Sequence, residues 1–162
     1  MNSQTVWQRT LGFVGSKPVI IETSNSQLTS DAGLLPMREF DETLGFTRLF
    51  AEALEDTRDV RYTTHSFLEM TRARVFGILA DYEDQNDHDA LRHDPIFKVI
   101  AGGSLKKTLA SQPTHSRFEN AIDIPSLLRL RDVLIDQFID SFDSPPGRLT
   151  LDIDTFDDPA HG

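Results

Sequence analysis

Hydrophobic and polar positions sort this chain into helices with an extended piece at each end. Between Asp31 and Leu54, Leu34, Leu35, Met37 and Phe40 form one short apolar pattern, and Phe46, Leu49, Phe50 and Leu54 form another. Gly45 separates them and reads as a helix stop, so two short helices are predicted. A longer helix follows. Ser66 with Glu69 matches a capping box, with Thr64 as an earlier possible start. Leu68, Val75, Leu79 and Tyr82 then share a face, flanked by Phe67, Phe76 and Ile78. A last helix is predicted from about Pro125 to Phe142, with Leu127, Leu130, Leu134 and Phe138 on one stripe and Pro125 at a first helical position. Ser144, Pro145, Pro146 and Gly147 end it as a hinge.

The two ends of the chain read differently. Residues 7–22, with VIIE after Pro18, predict a strand or extended arm, and Trp7 reads as a packing residue or as an arm contact to DNA. From 148 to 154, Leu149, Leu151 and Ile153 alternate with Thr150, Asp152 and Asp154, a period of two that predicts a strand. Asp152 and Asp154 then share one side, about 6–7 Å apart along it. Asp157 and Asp158 follow in a turn. Oxygen ligands displayed this way suit a hard divalent cation such as Mg²⁺. One strand alone cannot complete such a site.

Composition narrows the classes. The chain has 162 residues, 38% hydrophobic and 26% charged, which is globular. No apolar run approaches the ~20 residues that cross a bilayer, and no signal peptide opens the chain. The absence of Cys excludes disulfides, thiolate zinc sites and cysteine nucleophiles, and fits a reducing, cytosolic setting. The net charge of -10 argues against nucleic acid, but the charge is uneven. From Gly102 to Arg131, Lys106, Lys107, Arg117, Arg129 and Arg131 face only Glu119 and Asp123. The acid sits at 52–59, 83–94 and the tail, the first two read as solvated surface.

Two connectors carry candidate chemistry. In 82–95, Asp87, His88, Asp89, His93 and Asp94 fit no zinc spacing; a polar connector that caps Ala90–His93 and the helix after Pro95 is the simpler reading. In LASQPTHSRFEN, a polar turn at Ser111, Gln112 and Pro113 leads into Thr114, Ser116, Arg117 and Glu119. Gln and Arg reach base edges and Ser and Thr reach phosphates, so Lys106, Lys107, Gln112, Thr114, Ser116 and Arg117 are the candidate DNA-binding set. A capped surface helix is the alternative.

SDAGLLPMREFDETLGF, LADYEDQNDHDALRHDPIFKVIAGG, LASQPTHSRFEN and LTLDIDTFDDPAHG, in that order, resemble bacterial insertion-sequence transposases of the DDE type, thirteen-eighty group. The similarity runs from about Ser24 to Gly162. It implies an RNase H-like catalytic core, a mixed sheet flanked by helices, in which two Asp and one Glu hold two Mg²⁺ ions. Residues 1–145 would be a mostly helical, DNA-binding region preceding that core, and 146–162 the start of the core. The expected fold class is mainly α with a few strands, the last being the first strand of an incomplete α/β core. The first catalytic Asp of the family lies in an Asp-x-Thr pattern. Asp154 matches it best as catalytic and metal-binding residue; Phe156 stands where Thr is usual and Thr155 sits one place early, which leaves Asp152 as the alternative. His161 would lie near the site without being a ligand.

The resemblance implies terminal inverted-repeat DNA as partner, with intact transposase or a second copy as further partners, no membrane, and a cytoplasmic, nucleoid-associated location. The second Asp and the Glu are expected beyond this stretch, so the fragment is expected neither to cut nor to join DNA alone. A stand-alone repressor of transposition is the alternative function. An unrelated acidic metal-binding protein or small hydrolase is a third, and the tail lacks the Gly and Glu of an EF-hand loop.

Overall fold

Gly45 divides the first helical segment in two because it takes a left-handed conformation (φ 69°) that a side chain resists. Its N–H bonds to the Asp41 carbonyl at 2.6 Å. In the computed structural model, which describes residues 8–12, 18–22 and 29–155, α1 spans Leu34–Leu44 and α2 spans Phe46–Glu52. Trp7, Asp157, Asp158 and His161 lie outside the described residues.

Five further α-helices follow among the described residues: α3 (Phe67–Leu79), α4 (His88–Leu91), α5 (Pro95–Ala101), α6 (Gln112–Asn120) and α7 (Ile124–Asp140). Short 3₁₀ turns lie at Val60–Tyr62 and Gln85–Asp87. Capping residues explain most starts. The Ser66 hydroxyl accepts from the Glu69 N–H at 3.1 Å, as the capping-box spacing predicts. Asp94 accepts from the N–H groups of Ile96 and Phe97 at 2.7 and 3.1 Å. Asp123 accepts from Ser126 at 2.9 Å, which puts Pro125 second in α7. The C-termini of α3 and α5 close in the same way. Tyr82 N–H reaches back to the Gly77 carbonyl at 2.9 Å and Gly103 N–H to Lys98 at 3.0 Å, with Asp81 and Gly102 left-handed in between.

The extended arm is a hairpin. β1 (Gln8–Leu11) pairs antiparallel with β2 (Val19–Glu22), Arg9 opposite Ile21 and Leu11 opposite Val19. Leu11 is fully buried and carries the hairpin into the main core with Val19 and Ile21. That core gathers Leu34 and Leu35 of α1, Ala73 and Phe76 of α3, and Phe97 and Ile100 of α5. A second cluster joins Leu54, Met70, Ala110 and Phe118, with Phe67, Ile122 and Leu130 packed against it.

Two predicted faces are corrected. α3 buries Met70, Ala73, Phe76 and Gly77; of the predicted Leu68, Val75, Leu79, Tyr82 face, Tyr82 packs against the main core, Leu68 and Val75 are half-buried, and Leu79 is exposed. Small Ala73 and Gly77 let neighbours approach: a Cβ on Gly77 would lie 3.6 Å from the His88 ring. On α7, Leu130 packs inward, but Leu127, Leu134 and Phe138 of the predicted stripe face solvent. Ile124, Leu128, Ile135 and Ile139 join them outside.

A buried polar network fastens the helices. Arg38 of α1 donates through Nε to the Ile100 carbonyl of α5 at 2.8 Å and pairs with Asp41 at 3.3 Å. Asp41 accepts from the Thr47 N–H and hydroxyl at 2.8 and 2.5 Å. Arg72 of α3 donates to Thr47 Oγ1 at 3.2 Å and to Glu42 at 3.1 Å, and Glu42 also pairs with Arg38. Burial, with Arg38 alongside, lowers the Arg72 guanidinium pKa from its usual value, while Glu42 and Asp41 pull it back.

Residues 148–155 form no strand, and Leu149, Leu151 and Ile153 are exposed. The predicted alternation is present, but no second strand among the described residues pairs with it, and a strand is defined by that pairing.

Candidate nucleic-acid interface

Two consecutive Asp-x-Arg turns shape the loop between α2 and α3. Asp56 accepts from the Arg58 N–H, Nε and Nη2 at 3.1, 2.7 and 2.6 Å. Asp59 accepts from the Arg61 N–H and Nη2 at 2.9 and 2.6 Å. The side-chain bonds from these arginines hold both carboxyl pKa values below the ordinary range. Arg58 also donates to the His65 carbonyl at 3.1 Å and lies 4.3 Å over the Phe67 ring. The loop is therefore built around fixed guanidinium groups.

Helix α6 faces that loop. Ser111 is its N-cap, and the Gln112 N–H bonds to the Asp89 carboxylate at 3.1 Å. The inner side of α6 is anchored by Phe118, 5.0 Å from Phe67, and by His115, stacked on His88 at 4.0 Å. Both histidines are buried, and neither His115 ring nitrogen finds a hydrogen-bond partner among the described residues. Burial, then the nearby His88 and Arg74, lowers the His115 pKa to about 3. Burial and Arg74 lower that of His88 too, against the pull of Glu119, Asp87 and Asp89. Arg74 pairs with Glu119 at 2.8 Å, and Gln85 bonds to the same carboxylate.

The outer side carries Thr114 and Arg117, joined by a 3.2 Å hydrogen bond. They line a cleft of about 540 Å³ with Arg58, Arg92, Tyr62 and Ser111. Asp59 is the carboxylate that lines it, and Arg61 already engages that group. Among the described residues, neither Arg92 nor Arg117 has a carboxylate partner, and Arg92 Nε is buried without a hydrogen bond. A more apolar pocket of about 240 Å³ shares Arg58, Thr114 and Arg117 and is lined also by Phe67, Met70 and Phe118. Chemically, the cleft offers hydroxyls and two guanidinium groups, those of Arg92 and Arg117, that no carboxylate engages among the described residues, the donor set that phosphates take.

A sequence profile of the family described as Transposase DDE domain group 1 matches residues 11–162. The chain belongs to that transposase family. Comparisons with curated proteins and with solved structures find no match.

Within this DDE transposase chain, the expected DNA-binding residues separate. Thr114 and Arg117 meet at the cleft. Ser116 is half-buried and accepts from Asn120 at 3.3 Å. Gln112 is half-buried beside Asp89. Lys106 lines a different cavity, of about 700 Å³, with Val19, Val99 and Gly103, and Lys107 is exposed on the same loop. The expected turn at 111–113 is not a turn. Ser111 caps α6, and Gln112 and Pro113 are its first two residues, so the α5–α6 connection runs from 102 to 111. A helix-turn-helix joins its helices by three or four residues. Sequence reasoning missed Arg58 and Arg92, which lay in segments read as solvated acidic surface. The doubled Asp-x-Arg spacing at 56–61 was the available signal.

DDE transposases use divalent metal ions. Asp152 and Asp154 are exposed on the unpaired segment, and the Thr155 N–H bonds to Asp154 at 2.8 Å. Among the described residues no three His, Asp or Glu groups converge as a metal site. These two carboxylates do not by themselves fit a pair of ions. In 84–94, Asp84 and Asp94 serve as caps, Asp89 as the Gln112 contact and His88 as half of the buried stack. No helix of the described residues is long and apolar enough to cross a membrane.

Proposed function

We propose that residues 1–145 are the DNA-engaging region of an insertion-sequence transposase of the thirteen-eighty group, and that residues 146–162 open its catalytic domain. The observation that carries this reading is the cleft in which Thr114 and Arg117 of α6 meet Arg58 and Arg92, where Arg92 and Arg117 have no carboxylate partner among the described residues. It holds the phosphate backbone of terminal inverted-repeat DNA, and Lys106 and Lys107 extend the contact from a neighbouring loop. Asp154, with Asp152 as alternative, is the first carboxylate of the Mg²⁺ set.

Gel shift on a terminal inverted-repeat duplex tests the DNA reading. Arg117→Ala weakens binding and lowers the slope of log K against log salt by about one phosphate contact. Unchanged affinity and slope would remove Arg117 from the interface. For the catalytic reading, two carboxylates cannot hold the pair of ions that strand cleavage uses. The 162-residue chain therefore does not nick DNA unaided in Mg²⁺ or Mn²⁺. Robust nicking abolished by Asp154→Ala would overturn this.

The exposed apolar side of α7 favours a second reading, a stand-alone repressor that acts by mixed oligomers with intact transposase. Co-purification with a tagged intact transposase, lost on placing Lys at Leu134 and Phe138, would separate that reading from DNA occupancy alone.

A further inference from the structure

Tyr62 has no packing role. Its side chain is 83% exposed, the most open aromatic among the described residues, whereas Phe76 and Phe97 are within 1% of complete burial. It ends the 3₁₀ turn Val60–Tyr62, whose position is fixed by the Asp59–Arg61 pair. The Arg61 guanidinium lies 5.8 Å from the centroid over its ring. The same ring lines the cleft with Arg58, Arg92 and Arg117.

A bare aromatic beside clustered cations has a specific chemistry. Arginines and hydroxyls take phosphate, and an open π-face takes the face of a base. In a paired duplex, neighbouring bases cover those faces. Apart from the outer face of a terminal pair, only an unpaired or frayed nucleotide offers one. The cleft, at about 540 Å³, falls within the ~300–1,000 Å³ of small-ligand sites, enough for a nucleotide.

We propose that this cleft receives an unpaired nucleotide at a DNA end, with its base on Tyr62 and its phosphate on Arg92 and Arg117. The inference rests on the reading of the cleft as the DNA interface and goes beyond it: duplex contact needs the arginines but not the tyrosine. Tyr62 would act as a stacking platform that makes the protein prefer open ends.

Fluorescence anisotropy on the full chain distinguishes the two levels. The probes are a fluorescein-labelled blunt 20-mer duplex, the same duplex with a three-nucleotide overhang, and a single-stranded dT 20-mer. The overhang and the single strand should bind more tightly than the blunt duplex. Tyr62→Ala should weaken those two about tenfold, the size of one lost base stack, and leave the blunt duplex unchanged. Tyr62→Phe should restore wild-type affinity, because the ring and not the hydroxyl is required. So exposed a residue can be replaced without unfolding, and circular dichroism checks that. If Arg117→Ala weakens all three probes while Tyr62→Ala weakens none, the stacking inference falls and the interface reading stands. If Arg117→Ala weakens none of them, or no probe binds, both fall. Equal loss on blunt and overhang DNA also overturns the inference.

Discussion

The stacked pair His88–His115 makes this protein acid-labile in a calculable way. An unfolded histidine titrates near 6.5, whereas His115 in the fold is held to about 3 by burial, with His88 and Arg74 adding repulsion. Between those values the unfolded chain binds a proton that the folded chain refuses. Stability is therefore complete above pH 6.5 and falls as pH drops from 6.5 toward 3. For His115 alone the loss between pH 7 and pH 5 is about 2 kcal/mol, from 1.36 kcal/mol per pKa unit. His88, whose pKa is lowered as well, adds in the same direction. Asp56, Asp59, Asp84 and Asp123 are all lowered from an ordinary value of 3.8, so the stability they contribute is lost below the pH 7 to 5 interval. Urea denaturation followed by circular dichroism at pH 7 and pH 5 measures the difference. His115→Phe keeps a ring against His88 but cannot be protonated, and should reduce the pH dependence by about 2 kcal/mol. An unchanged dependence in that variant would refute the assignment of the acid sensitivity to His115.

Three further outcomes follow from packing. Asp41→Ala leaves Arg38 and Arg72 buried with one carboxylate fewer and should cost about 3–5 kcal/mol, seen as a lower urea midpoint; a cost under about 1 kcal/mol would mean that water replaces the carboxylate. Gly45→Ala places a Cβ at φ +69°, 2.8 Å from Arg48 Nη2, and should cost about 1–2 kcal/mol in thermal or urea melts. Phe97→Ala empties the middle of the main core and should cost about 3–5 kcal/mol by the same measurement.

The start and stop signals of the helices were legible because they are local. Ser66 with Glu69, Asp94 before Pro95, Pro125 and Gly45 each act within one turn, and the chain around them is enough to read them. The core faces of α3 and α7 were less legible. Arg72 looks like a solvent residue on α3 until Glu42 and Thr47 arrive from α1 and α2. Leu127, Leu134 and Phe138 look like a core stripe until Leu130 and Ser126 turn out to make the contact with the body. The hydrophobic period tells which residues share a side, not which side meets a neighbour. The cleft was half legible. Thr114 and Arg117 stand on one short helix. Arg58 and Arg92 reach them only through packing of a loop and a connector from distant parts of the sequence. The segment 148–155 shows the converse: its period of two is plain, yet pairing requires a partner strand that no local pattern supplies.

The outward ridge of α7 governs how the protein behaves in bulk. Seven large aliphatic and aromatic side chains between Ile124 and Ile139 stand open to water, against an overall charge of -10. Mutual repulsion opposes the docking of two such molecules by these ridges. Its range shrinks from ~10 Å at 0.1 M salt to ~3 Å at 1 M. On the proposed reading of the cleft, concentrated salt has two effects on one sample, stripping DNA from the arginines and letting the greasy helices find each other, so a loss of DNA retention in a high-salt wash should coincide with clumping.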